Sequence, residues 1–244
     1  MIRRTQKEQD RLWRHYQLKQ PEVFAMSYSR IRFFAQKCRP SEVVLNVGIG
    51  SGLLERILLE RGVSAYTLDP SPEALRRAQN MLGKRFIGKC GYLEKIPFPS
   101  SYFDRVICTE VFEHLTAGQL HAGLKEIRRI LKPSGVLSGS VPYQEKLGDG
   151  LVICPRCLNQ FHRWGHHLGG WSKTKMRHIL EKAGFDVKGC HPRAFSDFHR
   201  PGFKNLLRAT FRLFLGRMGE AIVGPSLVFH ASPKPARRES GKRR

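Results

Sequence analysis

Three glycines and one aspartate have the spacing of a binding site for a nucleotide-like ligand. Gly48, Gly50 and Gly52 follow directly on a short apolar run at 43–47 and precede a helical segment. Glycine lets the backbone turn tightly and approach a ligand without an intervening Cβ. Asp69 comes about 20 residues later, at the end of the next apolar run, where a carboxylate can accept hydrogen bonds from both ribose hydroxyls. Loop and acid together predict a nucleoside site.

The spacing of the glycines indicates which nucleoside is bound. A dinucleotide site requires G-x-G-x-x-G, and the third glycine position of that pattern is Leu53 here. The glycines fall instead as G-x-G-x-G. S-adenosylmethionine (SAM) carries no pyrophosphate, so its loop needs no helix N-terminus reserved for one. The spacing therefore favours SAM over a nicotinamide dinucleotide.

A second group of reactive side chains lies at 110–114, in the run EVFEH that follows a predicted strand. If the ligand of the glycine loop is SAM, the reaction is transfer of a methyl group from its sulfonium, which mainly requires alignment and exclusion of water. A general base helps if the acceptor is a hydroxyl, and His114 lies where open α/β sheets bind ligands. His114 is therefore the candidate catalytic residue. The alternative is that Glu113 and His114 brace the helix that follows.

The segment CPRCLNQFHRWGHH, after the fifth predicted strand, combines soft metal ligands at close spacing. Cys154 and Cys157 form a C-x2-C pair, and His162 with His166 could complete a tetrahedral zinc site. Cys190-His191 could replace one of these ligands. Such a zinc would hold the loop and leave no open position for chemistry. The alternatives are a metal-free loop whose histidines face the substrate, or unrelated surface side chains.

Strands and helices alternate along the chain, which predicts an α/β fold with a doubly wound, mainly parallel sheet. Apolar or β-branched runs predict strands, and amphipathic stretches predict helices. The predicted strands are 43–47, 65–68, 105–108, 135–141, 185–187 and 226–231, and the predicted helices are 6–19, 28–38, 53–61, 72–82, 118–131 and 173–183. One more helix with a basic stripe, 199–218, is expected either to pack on the sheet or to touch anionic lipid.

The length of 244 residues suits one domain with additions at both ends. We expect an N-terminal helical segment at 1–40, a ligand-binding domain at 41–232 and a disordered basic tail at 233–244. The Cys/His segment forms an insert near 151–172 of the central domain.

Five ordered motifs resemble those of one family. They are VVLNVGIGSG at 43–52, TLDPS at 67–71, IPFPSSYFDRVIC at 96–108, EVFEH at 110–114 and LKPSG at 131–135. The chain resembles the class I SAM-dependent methyltransferases, in particular the bacterial type 11 group that acts on small molecules. The resemblance implies a Rossmann-like fold, SAM as cofactor and methyltransferase activity.

The resemblance also indicates which residues contact SAM, with two departures from the family pattern. The implied contacts are Asn46, Gly48, Gly50, Gly52, Asp69, Pro70, Tyr92, Leu93 and Glu110. The family usually has acids where Asn46 and Tyr92 stand. Asn46 can still accept a hydrogen bond but loses the charge-assisted contribution of a carboxylate. Tyr92 could stack on the adenine, and Glu94 could supply the missing acceptor.

The net charge of +23 is concentrated in the flanks of the chain. Basic residues exceed acidic ones by 7 in 1–40, by 2 in 41–150 and by 14 in 151–244. A basic surface either serves solubility or attracts phosphate on nucleic acid, lipid or a small anion. We therefore expect methylation of a small or lipid-linked, anionic acceptor. An RNA-directed methyltransferase and a non-catalytic SAM-binding module remain the alternatives.

Six scattered cysteines favour a reducing compartment over a disulfide scaffold. The N-terminal residues show no apolar stretch of the kind that secretory signals contain. We expect a cytoplasmic protein, peripheral to an anionic membrane if the helix at 199–218 binds lipid.

Overall fold

The structure is a computed structural model that describes residues 5–20, 23–24, 27–195, 207, 210 and 226–235. These residues form a seven-stranded sheet, a two-stranded hairpin and flanking helices. The strands are β1 (Val43–Val47), β2 (Ser64–Asp69), β3 (Ile87–Cys90), β4 (Phe103–Thr109), β5 (Leu131–Pro142), β6 (Leu151–Ile153), β7 (Gln160–His162), β8 (Phe185–Arg193) and β9 (Ser226–Pro233). The helices are α1 (Gln6–Lys19), α2 (Tyr28–Gln36), α3 (Leu53–Glu60), α4 (Pro72–Leu82), α5 (Ala117–Ile130) and α6 (Lys173–Lys182).

The order of strands across the large sheet is β3-β2-β1-β4-β5-β9-β8. Strands β1 to β5 run parallel, whereas β9 is antiparallel to both of its neighbours. The chain reverses its winding between β1 and β4. The carboxyl ends of these two strands therefore flank the crevice where open α/β sheets bind ligands.

Each central strand contributes to two apolar layers. Leu45 and Val106 belong to the core cluster that includes residues of α5 and α6, whereas Val44 and Ile107 belong to the cluster that includes α2, α3 and α4. Successive strand side chains point to opposite faces of a sheet. A strand covered on both faces must therefore be apolar throughout, which explains the uninterrupted runs in the sequence.

Side-chain caps fix where the helices beside the crevice begin. Ser71 Oγ accepts a hydrogen bond from the Ala74 N–H, with Pro72 in the first turn of α4. Thr116 and Gln119 form a reciprocal capping box at the start of α5. These caps satisfy backbone donors that a helix start leaves without partners. They also end the preceding turns at fixed points, which leaves Asp69 at the carboxyl end of β2.

The doubly wound, mainly parallel sheet predicted from the sequence is confirmed, and the predicted elements in the described part are found. Most ends shift by at most two residues, but β5 begins four residues before the predicted 135–141 and β8 runs six residues beyond the predicted 185–187. Strand β3 is missing from the prediction because it is a short edge strand, I-G-K-C, with mostly exposed residues and no apolar run. The antiparallel hairpin β6–β7 lies in the predicted Cys/His insert and is also missing from the prediction.

The C-terminal boundary requires a correction. Strand β9 runs to Pro233, and the Lys234 N–H donates to the Gly184 carbonyl over 2.9 Å. The tail predicted from 233 therefore begins at least two residues too early, because its first residues belong to the sheet. Residues 236–244 lie outside the described part, as does the predicted helix at 199–218 except for Leu207 and Thr210.

In the described part of the chain, no helix combines the length and the apolar character that crossing a bilayer requires.

Candidate active site

The glycine loop lies at the carboxyl end of β1. Gly48, Gly50 and Gly52 have φ angles of 85°, 52° and 77°, a region that residues with a Cβ rarely adopt. The Gly48 N–H donates to the Leu68 carbonyl of β2, and the Gly52 N–H closes a turn on the Ile49 carbonyl. The loop is thus held against the neighbouring strand while it turns into α3. This geometry explains why the sequence has glycine at these positions.

Asp69 supports this loop from the end of β2. Its carboxylate accepts hydrogen bonds from the backbone N–H groups of Ile49 and Ser71, both at 2.8 Å, and from Gln17 Nε2 at 3.0 Å. Burial raises the pKa of Asp69, and these three hydrogen bonds act in the opposite direction. The sequence predicted the loop and the acid as one site, and the structure brings them into direct contact.

The side-chain amide nitrogen of Asn46 donates its hydrogen bonds to other residues of the protein. Its Nδ2 donates to the Gly48 carbonyl at 2.9 Å and to Glu55 Oε1 at 2.7 Å. Thr67 also donates to Glu55, whose pKa burial raises. Asn46 Oδ1 accepts no hydrogen bond from the described residues, although it is buried. Asn46 therefore braces the loop and offers one acceptor that a ligand could use. Sequence reasoning missed Glu55, which reads as an ordinary helix residue.

One cavity of about 490 Å³ adjoins the glycine loop. Of the residues expected to contact SAM, those lining it are Asn46, Gly48, Gly50, Asp69, Pro70, Tyr92, Leu93 and Glu110. Gly52 does not line the cavity and serves the turn alone. Leu93 is buried, whereas Tyr92 is 42% exposed and donates its hydroxyl to Asp10 Oδ2 over 2.8 Å. Burial and this hydrogen bond raise the pKa of Tyr92 to about 12, the hydrogen bond being the larger cause.

Helix α1 forms one wall of this cavity. Gln9, Asp10, Trp13 and Gln17 of this helix all line it, and Gln17 bonds to Asp69 as described above. Sequence reasoning predicted the helix but assigned none of its residues to the site. The signal available was a set of polar and aromatic side chains at helical spacing, which is also typical of a solvated helix face.

Glu110 is fixed by three elements at the far side of the cavity. Its Oε1 accepts from Ser140 of β5 at 2.7 Å and from Ser226 of β9 at 3.3 Å, and Arg30 approaches to 3.7 Å. Its φ of 54° places it in the left-handed region. This strained position at the end of β4 is typical of residues near a binding site.

His114 and Glu113 lie one short turn further along, and both line the cavity. Burial lowers the pKa of His114 well below its usual range, and the His166 ring adds to this. Burial raises the pKa of Glu113 well above its usual range, and Glu110 adds to this. The capping box that begins α5 is formed by Thr116 and Gln119, so neither Glu113 nor His114 caps that helix.

The insert places its histidines and its cysteines at opposite ends. His162 and His166 are buried, and their rings stack with centroids 4.4 Å apart. Glu145 Oε2 lies 2.6 Å from His166 Nδ1. Cys154 and Cys157 lie at the tip of the β6–β7 hairpin. They are absent from the groups of potential metal ligands in the described part. The predicted Cys154–Cys157–His162–His166 zinc site is therefore not assembled, because the hairpin separates its two halves.

Comparisons with known proteins identify the family. A family model described as a methyltransferase domain, type 11, matches residues 45–138. An uncharacterised methyltransferase of Geobacillus kaustophilus is 32% identical over 190 residues, which cover 76% of this chain and 87% of that protein. The mouse mitochondrial ubiquinone biosynthesis O-methyltransferase is 29% identical over 158 residues, which cover 59% of this chain and 41% of that protein.

Solved methyltransferases share the fold. A SAM-dependent methyltransferase of Mesorhizobium loti superposes with a TM-score of 0.62 at 15% identity, covering 85% of this chain and 97% of that one. The 1,6-didemethyltoxoflavin-N1-methyltransferase of Burkholderia thailandensis was solved with S-adenosylhomocysteine. It superposes with a TM-score of 0.65 at 16% identity, covering 96% of this chain and 92% of that one. Fold and site define a class I SAM-dependent methyltransferase. The chain belongs to the type 11 methyltransferase family.

Proposed function

We propose that this enzyme transfers the methyl group of SAM to a hydroxyl oxygen of a small molecule. One observation carries the proposal: the same cavity is lined by the glycine loop, by Asp69 and by the imidazole of His114, which is 12% exposed. Its volume of about 490 Å³ is in the range of small-ligand pockets. The mouse relative is an O-methyltransferase by name, which supports an oxygen acceptor.

The residues of the cavity fit SAM. We assign the ribose hydroxyls to Asp69 and the amino-acid ammonium to the free Oδ1 of Asn46, with Tyr92 and Leu93 beside the adenine. When bound, SAM supplies an electrophilic methyl carbon: the acceptor oxygen bonds to it as the C–S bond breaks, the electron pair returns to sulfur and the hydroxyl proton is released. Trp13 and Trp164 line the acceptor end, where such rings exclude water.

His114 supplies a lone pair at this end of the cavity. Because burial keeps the imidazole neutral, one ring nitrogen stays free of a proton. Its Nδ1 faces the Gly165 carbonyl at 3.5 Å, which leaves Nε2 as the free nitrogen. A lone pair at this point assists removal of the acceptor proton, either by accepting it or by holding a metal ion that lowers the acceptor pKa.

The charge of the lining bears on the acceptor. Six carboxylic side chains line the cavity, namely Asp10, Asp69, Glu94, Glu110, Glu113 and Glu145. Among the described residues, the one basic side chain of the lysine or arginine type that lines the cavity is Arg30, which lies 3.7 Å from Glu110. Those of the six that are ionised repel an anionic group. We therefore propose that the reacting end of the acceptor is neutral and that any phosphate or lipid on it stays outside, near the basic flanks.

Binding and turnover together test the proposal. Calorimetry should show that the protein binds SAM and S-adenosylhomocysteine. Methyl-tritiated SAM should then label hydroxylated small molecules such as catechols, and His114→Ala should lower the rate by about a hundredfold or more with SAM affinity retained. SAM binding without transfer to any hydroxyl compound, or transfer to RNA instead, would contradict the proposal.

A further inference from the structure

Glu113 has a fully buried carboxyl group that no described residue hydrogen-bonds. The residue is 0% exposed, and neither of its carboxyl oxygens accepts a hydrogen bond within the described part of the chain. His114 Nε2 stands 4.0 Å from Glu113 Oε1, too far for a hydrogen bond. Burying a carboxylate without a donor or a cation is costly. Among the described residues, Arg30 acts on this carboxyl group only through its charge, and no hydrogen-bond donor contacts it.

The imidazoles of His114 and His166 lie beside this carboxyl group. Potential ligand atoms of Glu113, His114 and His166 all lie within 4.8 Å of one another. His166 Nδ1 stands 2.6 Å from Glu145 Oε2, and His114 Nδ1 faces the Gly165 carbonyl. Because these oxygens can only accept, each Nδ1 carries the proton and each Nε2 keeps its lone pair. Metal-binding histidines in proteins commonly have this arrangement.

We propose that Glu113, His114 and His166 bind one divalent transition-metal ion through a carboxylate oxygen and two Nε2 atoms. Two imidazoles and one carboxylate suit zinc or iron(II) and leave positions open for another ligand. Ligand atoms at about 2.1 Å from zinc stand about 3.4 Å from one another. The three side chains need to approach one another by about 1 Å to reach that spacing.

The neighbouring group of Glu145, His162 and His166 is less suited to hold the ion, although its potential ligand atoms also lie within 4.8 Å of one another. His162 Nδ1 accepts the backbone N–H of His166 at 3.3 Å, so its proton belongs on Nε2. That nitrogen faces Glu145 Oε1 at 3.7 Å. Glu145 and His162 therefore orient His166 from behind, as positioning residues.

The ion would complete the acceptor end of the cavity, because its three proposed ligands, Glu113, His114 and His166, all line the cavity. This step rests on the proposed function. A hydroxyl oxygen of the acceptor would occupy an open position on the ion, where its pKa falls and its proton passes to solvent before methyl transfer. His114 would then act as a ligand and not as the base. The ion would also offset the excess of carboxylates around the cavity.

Metal analysis of the full chain tests the proposal. The protein should be stripped with a chelator, reloaded with zinc chloride alone and analysed for bound metal, in parallel with calorimetry of SAM binding. We expect about one zinc per chain in the wild type and in Cys154→Ser/Cys157→Ser. Glu113→Gln and His166→Ala should lose it, and Glu145→Gln should weaken its binding about tenfold or more. Cobalt(II) loading should give visible absorption bands without the near-ultraviolet band of thiolate ligands.

The outcomes separate the two proposals. Wild-type protein that binds SAM but no zinc would overturn the metal site and leave the proposed function standing. Zinc lost from the cysteine variant but kept in Glu113→Gln would also overturn it. Circular dichroism checks that each variant is folded, and Glu145→Gln provides the weakened site if His166→Ala does not fold. Failure to bind SAM would count against the proposed function instead.

Discussion

The side-chain amide of Gln17 donates a hydrogen bond to Asp69 Oδ2 over 3.0 Å, and both residues are buried. This bond joins α1 to the end of β2 across the site assigned to the ribose. Arg77 of α4 donates to the Gln17 carbonyl at 2.8 Å and strengthens the same junction. The helix that closes the cavity is therefore attached to the side chain that we expect to bind the cofactor.

Replacing Asp69 by alanine should weaken SAM binding by at least about a hundredfold, because charge-assisted hydrogen bonds to the ribose are lost. The Ile49 N–H loses its acceptor as well, which loosens the glycine loop. Calorimetry measures the affinity. Asp104→Ala is a matched control. Asp104 lies at the start of β4, at the end of the strand away from the crevice, and forms an ion pair with Lys132. Unchanged affinity in Asp69→Ala would remove the ribose role.

Replacing Gln17 by alanine should tighten SAM binding about three- to tenfold. The ribose must displace the Gln17 amide from Asp69, and the variant no longer has that bond to break. Gln9→Ala is the control, because Gln9 is another buried glutamine of α1 but donates to the Gly165 carbonyl. Weaker binding in Gln17→Ala would mean that Gln17 contacts the cofactor itself.

Two glycines should respond in opposite ways to alanine. A Cβ on Gly139 of β5 would collide with the Cys108 carbonyl oxygen and with the Phe229 ring. We expect a loss of about 3 kcal/mol in the free energy of unfolding. A Cβ on Gly118 of α5 meets nothing within 4 Å, so Gly118→Ala should stabilise by up to about 1 kcal/mol. Urea denaturation measures both, and equal effects would contradict the packing described.

Protonation of His230 should weaken the fold as the pH falls. Burial, the positive charges of Lys37 and Arg105 and the nearby His191 ring lower the pKa of His230 from 6.5 to about 4. As the pH falls, the unfolded chain therefore takes up the proton before the folded protein does. The contribution of neutral His230 to the free energy of unfolding is fully present above about pH 6.5 and is lost as the pH falls toward 4. Denaturation at about pH 7.5 and about pH 5 should show a smaller loss in His230→Gln than in the wild type. Equal losses would speak against this histidine.

The sequence alone predicted the type of sheet and the contact between the glycine loop and Asp69. Its signals are local: an apolar run, three glycines and an acid after the next run lie within 27 positions, from 43 to 69. That the sheet is doubly wound and mainly parallel follows from the alternation of strands and helices, whereas the order of its strands was not predicted. Spacing along the chain is enough because β1, the loop and β2 are consecutive and in contact.

The tertiary structure decided the acceptor half. His114 and His166 are 52 positions apart in the sequence, yet their ring centroids lie 4.8 Å apart because the insert folds back over the end of β4. The close spacing of Cys157 and His162 suggested a shared metal, but the hairpin turns the cysteines to its tip and buries the histidines. Helix α1 likewise reaches Asp69 only through packing. No local pattern specifies such contacts, because they depend on which surfaces the completed sheet leaves to be covered.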